Sequence, residues 1–425
     1  MNSSCPSPRT ALLVRGKPLE EVPPLWHYLL ALVKEEPFVT RKAWRKSYLH
    51  FGSPYIGPEE RAEVLACIDS GWLGTGPRVQ RLEREFQQYV GARAVVAVSS
   101  ATAALHLALK ELQLEPGTEV ITSAMTFCAT ANAIIHAGLT PVFADCDLAT
   151  FNLDIADVER KLTPRTRAII PVHFAGRPCE MEALMALAQS HSVHIVEDCA
   201  HAIESMLHGR HCGTFGEFGC FSFYVTKNLT TVEGGMVVCR NPASADRLKS
   251  LTLHGISTDA WSRLAENRYT HYEVLEPGFK YNLTDLAASF GIHQLARLET
   301  MYARRQELWT YYQEELKPLP LLLPAPVPAG MRHSYHLFTC LVDERRTRMS
   351  RDQILEALHE LRIGAGVHYR ALPLQRYYRD TYGYREGDFP HAELIGERTF
   401  SLPFSVALTD EDAADVVRAL KEILA

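Results

Sequence analysis

Between Ala94 and Val238, short runs of β-branched and apolar residues recur at intervals of roughly 25 residues, separated by stretches with helical patterning, as βαβ units require. The runs are VVAV from Val95, EVIT from Glu119, PVFA from Pro141, AIIPV from Ala168, HIVED from His194, CFSFY from Cys220 and GMVV from Gly235. Each is nearly continuous in apolar residues instead of alternating, which is the pattern of strands covered on both faces. The chain is therefore predicted to be α/β, with a mostly parallel seven-stranded sheet between layers of helices.

Beyond this region, Asn282 to about Leu316 reads as long helical sequence, with Leu283, Leu286, Phe290, Leu295, Leu298 and Tyr302 near a 3.6-residue period. A Pro-rich stretch from Pro318 to Pro328 then precedes a second α/β segment. In it HLFTCLV reads as a strand, SRDQILEALHEL as a capped helix and DEDAADVVRALKEIL as a terminal helix. The predicted organisation is an extension over 1–48, a large domain over 49–298 and a smaller C-terminal α/β domain over 299–425. Trp26 to Val33 is the most apolar early segment. It falls well short of the ~20 residues needed to span a bilayer and reads as a short packed helix.

Composition narrows the function. The 425 residues carry 44 Lys+Arg against 50 Asp+Glu, a formal charge of -6, and no basic run of the kind that binds nucleic acid or an anionic membrane. Small-molecule partners are expected. Ten cysteines are scattered without a C-x-x-C pair, against a disulfide framework or zinc ribbon. The opening MNSSCPSPRTALLVRG has no apolar core of signal-peptide length, so a cytoplasmic protein is expected. GWLGTGP is not G-x-G-x-x-G, and no P-loop motif is present, which disfavours NAD and nucleotide-triphosphate chemistry. HGRH at His208 to His211 lacks a third convergent ligand and reads as a polar hairpin turn, so no metal is expected.

Three segments carry groups that can do chemistry. SSATAALHLALKEL follows a predicted strand and opens a helix at about Thr102, where small residues let backbone amides approach a phosphate; a plain helix cap is the alternative. HIVEDCAHA puts Asp198 at the C-terminal end of a buried strand, where α/β sheets place ligand-binding groups, although an internal salt bridge would use it equally. CFSFYVTKNLTTVEGG supplies Ser222, Lys227 and the pair Gly234 and Gly235. Aromatic and β-branched neighbours predict a partly desolvated Lys227 amine with a lowered pKa, as a Schiff-base lysine needs. Phe127 ends the loop after EVIT; locally, core packing is the expectation, and stacking on a cofactor ring is the alternative. Phosphate turn, aromatic, Asp and Lys in that order point to a pyridoxal 5′-phosphate (PLP) site.

The motifs GWLGTGPRVQRLEREF, SSATAALHLAL, AMTFCATANAI, PVHFAGRP, VEDCAHAI, FSFYVTKNLTTVEGGM, FKYNLTDLAAS and SLPFS resemble the DegT/DnrJ/EryC1/StrS family of PLP-dependent sugar aminotransferases from about Phe51 onward. HGISTDAW, EVLEPGFKYNLTDL and the VHYRALPLQRYYRD region are most similar to its UDP-4-amino-4-deoxy-L-arabinose:oxoglutarate aminotransferase branch. The resemblance implies fold type I of the PLP-dependent transferases. It implies Lys227 as the Schiff-base lysine, Asp198 as partner of the pyridine nitrogen and His201 near the phenolic oxygen. Phe127 would stack on the ring, Ala101, Thr102 and Ser222 would bind the phosphate, and Asn282 would reach the phosphate of a neighbouring subunit in a homodimer with shared sites. Thr75, His368 and Tyr369 are marked for the substrate. Phe127 departs from the Trp of that branch, Val232 stands where smaller residues are usual, and the second histidine expected after His368 is missing from HYRALPLQ.

The reaction so implied moves an amino group from glutamate, leaving 2-oxoglutarate, to a nucleotide-linked 4-keto sugar, with pyridoxamine 5′-phosphate as the intermediate form of the cofactor. The sugar is expected to be a UDP-4-keto pentose or a 4-keto-6-deoxyhexose. A 3-keto sugar or an inosose is the alternative acceptor, and a non-catalytic PLP-binding regulator is the alternative role. Related 3-dehydratases carry histidine in place of the lysine, so Lys227 favours amination.

Overall fold

The structure is a computed structural model that describes residues 13–14, 17–18, 44–257 and 271–425. The helix expected at Trp26 to Val33 and the end of HGISTDAW lie outside the described residues. The chain divides into two compact units, Met1–Lys42 and Ala43–Ala425. In the first, Leu13–Val14 pairs antiparallel with Lys17–Pro18.

In the second unit all seven expected runs are strands: β1 Ala94–Val98, β2 Glu119–Ser123, β3 Thr140–Ala144, β4 Thr166–Ile170, β5 His194–Asp198, β6 Phe218–Ser222 and β7 Gly235–Cys239. They form one sheet in the order β1-β7-β6-β5-β4-β2-β3. The pairs from β6 to β3 are parallel, whereas β7 runs antiparallel to both its neighbours, β1 and β6. Burial on both faces explains the unbroken apolar runs: all five residues of β2 and of β7 are buried. Leu105, Leu107 and Leu109 of the helix Ala101–Glu111 pack on one side of the sheet with Val96, Ile170 and Val237.

The segment from Asn282 is not one helix. Asn282 forms a bridge with Val98, and two helices follow, Asp285–Ala296 and Leu298–Leu316. They are broken at Arg297, whose guanidinium reaches Glu59 (2.7 Å) and the fully buried Glu60 in the first turn of the helix Pro58–Asp69. Leu286, which fits the helical period, is 36% exposed.

The smaller C-terminal part holds β8, Phe338–Val342, and β9, Thr399–Leu402, antiparallel to each other. The helix Arg351–Glu360 starts where expected, with Ser350 and Gln353 forming a capping box. HGRH is a hairpin turn: Met206–Leu207 pairs with Arg210–His211, and His208 (φ 49°) and Gly209 (φ 77°) take the left-handed backbone of a type I′ turn. The nine described cysteines are free. No helix among the described residues is long and apolar enough to cross a membrane.

Candidate active site

The C-terminal ends of β1, β2, β4, β5 and β6 share one edge of the sheet, and the residues singled out from the sequence gather there in two groups. The first surrounds a helix N-terminus. Ser100 caps the helix Ala101–Glu111 by accepting the Ala103 N–H (3.1 Å), one residue earlier than expected, which leaves the amides of Ala101 and Thr102 among the free donors of the first turn. Gly235, paired with Ser222 across β6 and β7, abuts this turn. A Cβ there would come within 2.7 Å of the Ser100 carbonyl carbon and 2.9 Å of the Ala101 nitrogen, so only glycine fits. Asn282, bridged to Val98, donates to Thr75 Oγ1 (2.7 Å), which donates to the Leu283 carbonyl (2.6 Å). The free amides at the positive end of this helix suit a phosphate.

The second group surrounds Lys227. Asp198, 5% exposed, accepts from Thr130 Oγ1 (2.8 Å) and from the Ala200 N–H (3.0 Å). Burial pushes its carboxyl up, and these donors and the Lys227 charge oppose the rise. Burial pushes the Lys227 amine down to about 8, with the Asp198 charge opposing. His201 Nδ1 accepts the Ala175 N–H (3.2 Å), which puts the ring proton on Nε2, 3.3 Å from the Tyr369 hydroxyl. Burial and the Lys227 charge push this imidazole well below its usual range, so it is neutral. His368 is held down to about 4 by burial; its Nδ1 lies 2.9 Å from Ser401 Oγ and its ring stacks on Phe51 at 5.2 Å.

Core packing of Phe127 is overturned. The ring is 57% exposed at the start of the helix Cys128–His136, 5.9 Å from the Tyr369 ring, and with it lines a cleft of about 660 Å³. The residues fit PLP: a lysine amine near 8, a carboxylate at a strand end, an exposed aromatic ring and a helix N-terminus are the groups its aldehyde, ring nitrogen, ring face and phosphate call for.

A model of the DegT/DnrJ/EryC1/StrS aminotransferase family matches residues 54–421. The chain belongs to this family. Spore coat polysaccharide biosynthesis protein SpsC of Bacillus subtilis is 45% identical over 381 residues, covering 89% of this chain and 98% of SpsC. Among solved structures, the aminotransferase TlmJ from Streptoalloteichus hindustanus is 35% identical with a TM-score of 0.81, covering 88% of this chain and 98% of its own. The PMP form of Spr1654 from Streptococcus pneumoniae is 32% identical with a TM-score of 0.82, again over 88% and 98%. As a DegT/DnrJ/EryC1/StrS aminotransferase the chain is a PLP-dependent sugar transaminase of fold type I, in line with the likeness read from its motifs.

In this aminotransferase the layer beneath Lys227 escaped the sequence reading. The Asn228 amide donates to Glu204 Oε2 and to the Ser334 carbonyl (2.9 Å each), so its Oδ1 accepts the proton of His336 Nδ1 (3.0 Å). The His336 ring lies 4.5 Å from that of His201. Glu204 (0% exposed) pairs with Arg305 (2% exposed), so a buried ion pair anchors the residue next to Lys227. Arg305→Met should therefore cost about 3–5 kcal/mol in urea unfolding, because Glu204 is left charged and buried. Arg305→Met with Glu204→Leu should recover most of the loss, and a single-variant cost below ~1 kcal/mol would refute the pairing.

His173, Glu197 and Cys199 lie close enough to suggest a metal site. Two of the three side chains are already engaged in hydrogen bonds. Glu197 accepts from the Phe215, Gly216 and Gly213 amides (2.7–2.8 Å) and from His173 Nε2, and His173 Nδ1 accepts the Cys179 N–H. The cluster is a hydrogen-bonded part of the core.

Proposed function

We propose that this aminotransferase transfers the amino group of glutamate to a nucleotide-linked 4-keto sugar, in two half-reactions of ping-pong type, as a cytoplasmic homodimer. The observation that carries the reading is the cleft beside Phe127 and Tyr369. Its volume is within the ~300–1,000 Å³ of small-molecule sites. It is also lined by Arg370, an exposed cation with no ion pair among the described residues, suited to the phosphates of a nucleotide. The name of SpsC, a spore coat polysaccharide biosynthesis protein, fits a sugar destined for a glycan.

PLP, when bound, supplies an aldehyde that takes up the amino group and a protonated ring that draws electrons from the bond being broken. Ala101, Thr102 and Ser222 hold its phosphate, and Phe127 flanks its ring. Asp198 keeps the proton on the ring nitrogen. Lys227 Nζ would hold the aldehyde and would serve as the base that moves the proton to and from the substrate carbon. His201 donates from Nε2 toward Tyr369, which fixes the phenol at the mouth of the site, and Thr75 and His368 border the sugar. Loading the enzyme with PLP and glutamate and presenting a panel of nucleotide-linked 4-keto sugars, 3-keto sugars and inososes tests the substrate. Mass spectrometry should find an amino sugar from a UDP-4-keto pentose or a nucleotide-linked 4-keto-6-deoxyhexose, and products from the 3-keto sugars or inososes alone would refute the reading.

A shared site adds a prediction. Lys227→Ala and Asn282→Asp homodimers should each be nearly inactive, the second because a carboxylate beside the phosphate repels it. After subunit exchange, half the dimers carry both chains and have one intact site, so activity should recover to about one quarter of wild type. No recovery after exchange verified by native mass spectrometry would rule out sharing.

A further inference from the structure

Phe174 and Ala175 belong to the turn that holds His201, and they also form a wall of a separate cavity of about 360 Å³. Phe151, Trp309, Leu323 and Leu337 are among its other lining residues, and the surface is strongly apolar. Besides the hydroxyls of Thr150 and Thr339, two ionisable groups stand in that surface. The Arg177 guanidinium donates to the Ala325 and Pro326 carbonyls (3.1 Å each), which offer no countercharge, and makes no ion pair among the described residues. Asp147, the carboxylate whose charge it feels, takes the Ala149 and Thr150 amides and the Thr150 hydroxyl on Oδ1 and forms no ion pair with it among the described residues.

The second group is His333, 3% exposed. Its Nδ1 accepts the Tyr335 N–H (2.8 Å), so its proton sits on Nε2, which has no acceptor among the described residues. Burial and the nearby Arg177 charge hold this ring neutral, at about 3. The cavity thus sets a cation without an ion-pair partner among the described residues and a fixed N–H donor against apolar rings. One carboxylate would serve both, where a neutral ligand would leave the guanidinium charge unmatched.

We propose that this cavity binds a small monocarboxylate with an apolar body, its carboxylate on Arg177 and His333 and its body among Phe151, Phe174 and Trp309. The site lies outside the PLP cleft, yet its occupant rests against the peptide that orients His201. Ala175 has a left-handed backbone (φ 54°), gives its N–H to His201 and takes the His336 N–H at its carbonyl (3.1 Å). Binding is therefore placed to modulate the transaminase through His201, whichever keto sugar it uses.

Titration calorimetry of the PLP-loaded full chain with phenylacetate and 3-methylbutanoate tests the site, with phenylacetamide as the uncharged match. At least one carboxylate should bind with one-to-one stoichiometry, and phenylacetamide should bind about tenfold or more weakly. Arg177→Met should abolish carboxylate binding. Ala149→Trp, which fills the exposed mouth of the cavity without touching the core, should do the same and keeps the test decisive if Arg177→Met fails to fold. Saturating glutamate should leave binding unchanged. The proposal is overturned if neither acid binds at millimolar concentration, if the amide binds as well as the acids, if binding survives both substitutions, or if glutamate displaces the probe.

Discussion

Lys227→Ala should abolish transamination while leaving the melting temperature of the cofactor-free protein essentially unchanged. The amine makes no hydrogen bond or ion pair among the described residues, and burial already disfavours its charge, so the fold gains nothing from it. Chemistry loses two things at once. Removing a positioned base costs ~10²–10⁴-fold, and the covalent attachment point is lost as well, so the combined loss should exceed that range. Borohydride reduction of wild type mixed with PLP should fix the cofactor to the peptide containing Lys227, and the variant should yield no such adduct. A variant that still transaminates at more than about one part in 10³ of wild type would show that another residue carries the proton.

The lowered amine also sets a pH dependence. An ordinary lysine is almost wholly protonated at neutral pH, whereas one near 8 is largely a free base just above that value. Capture of PLP by the cofactor-free chain should therefore accelerate as pH rises through about 8 and level off above it. Stopped-flow absorbance reads this directly; a rate still climbing to pH 10 would mean that the amine is solvated.

What the sequence made legible follows from which signals are local. The seven strands are legible because helices cover both faces and leave unbroken apolar runs, but such a run has no direction, so the antiparallel β7 was not evident among its parallel neighbours. Asp198 and Lys227 were readable from strand ends and desolvating neighbours. Phe127 was not readable from the apolar loop around it, because an aromatic facing a cleft and one plugging a core have the same local sequence. The break at Arg297 carries no Gly or Pro; it coincides with contacts to Glu59 and Glu60, far away in the chain. The Glu204–Arg305 pair and the seat of His336 on Asn228 likewise join distant segments and leave no periodic trace.

Asp198→Asn should slow both half-reactions by ~10²–10³-fold, the cost of removing one preorganised charge from a buried site, while cofactor retention changes little. In the native chain each carboxylate oxygen takes one donor, Thr130 Oγ1 on Oδ2 and the Ala200 amide on Oδ1, which orients the group without neutralising it. An asparagine of the same shape can turn its NH₂ toward the Thr130 hydroxyl, which can donate to Thr126 Oγ1 instead, so what it loses is the charge that keeps a proton on the ring nitrogen. The phosphate rim at Ser100, Ala101 and Ser222 is formed by other elements and is untouched, so binding and rate should separate. Gel filtration followed by absorbance measures cofactor retention, and single-turnover reaction with glutamate measures the first half-reaction. Rates within roughly threefold of wild type would make Asp198 a structural carboxylate whose purpose is to hold Thr130 and the turn at Ala200. Thr130→Val supplies the matching control: it removes one orienting donor but keeps the charge, so it should slow the same step less than Asp198→Asn does, by about 10-fold and at most about 100-fold, the worth of a single hydrogen bond to a charged group.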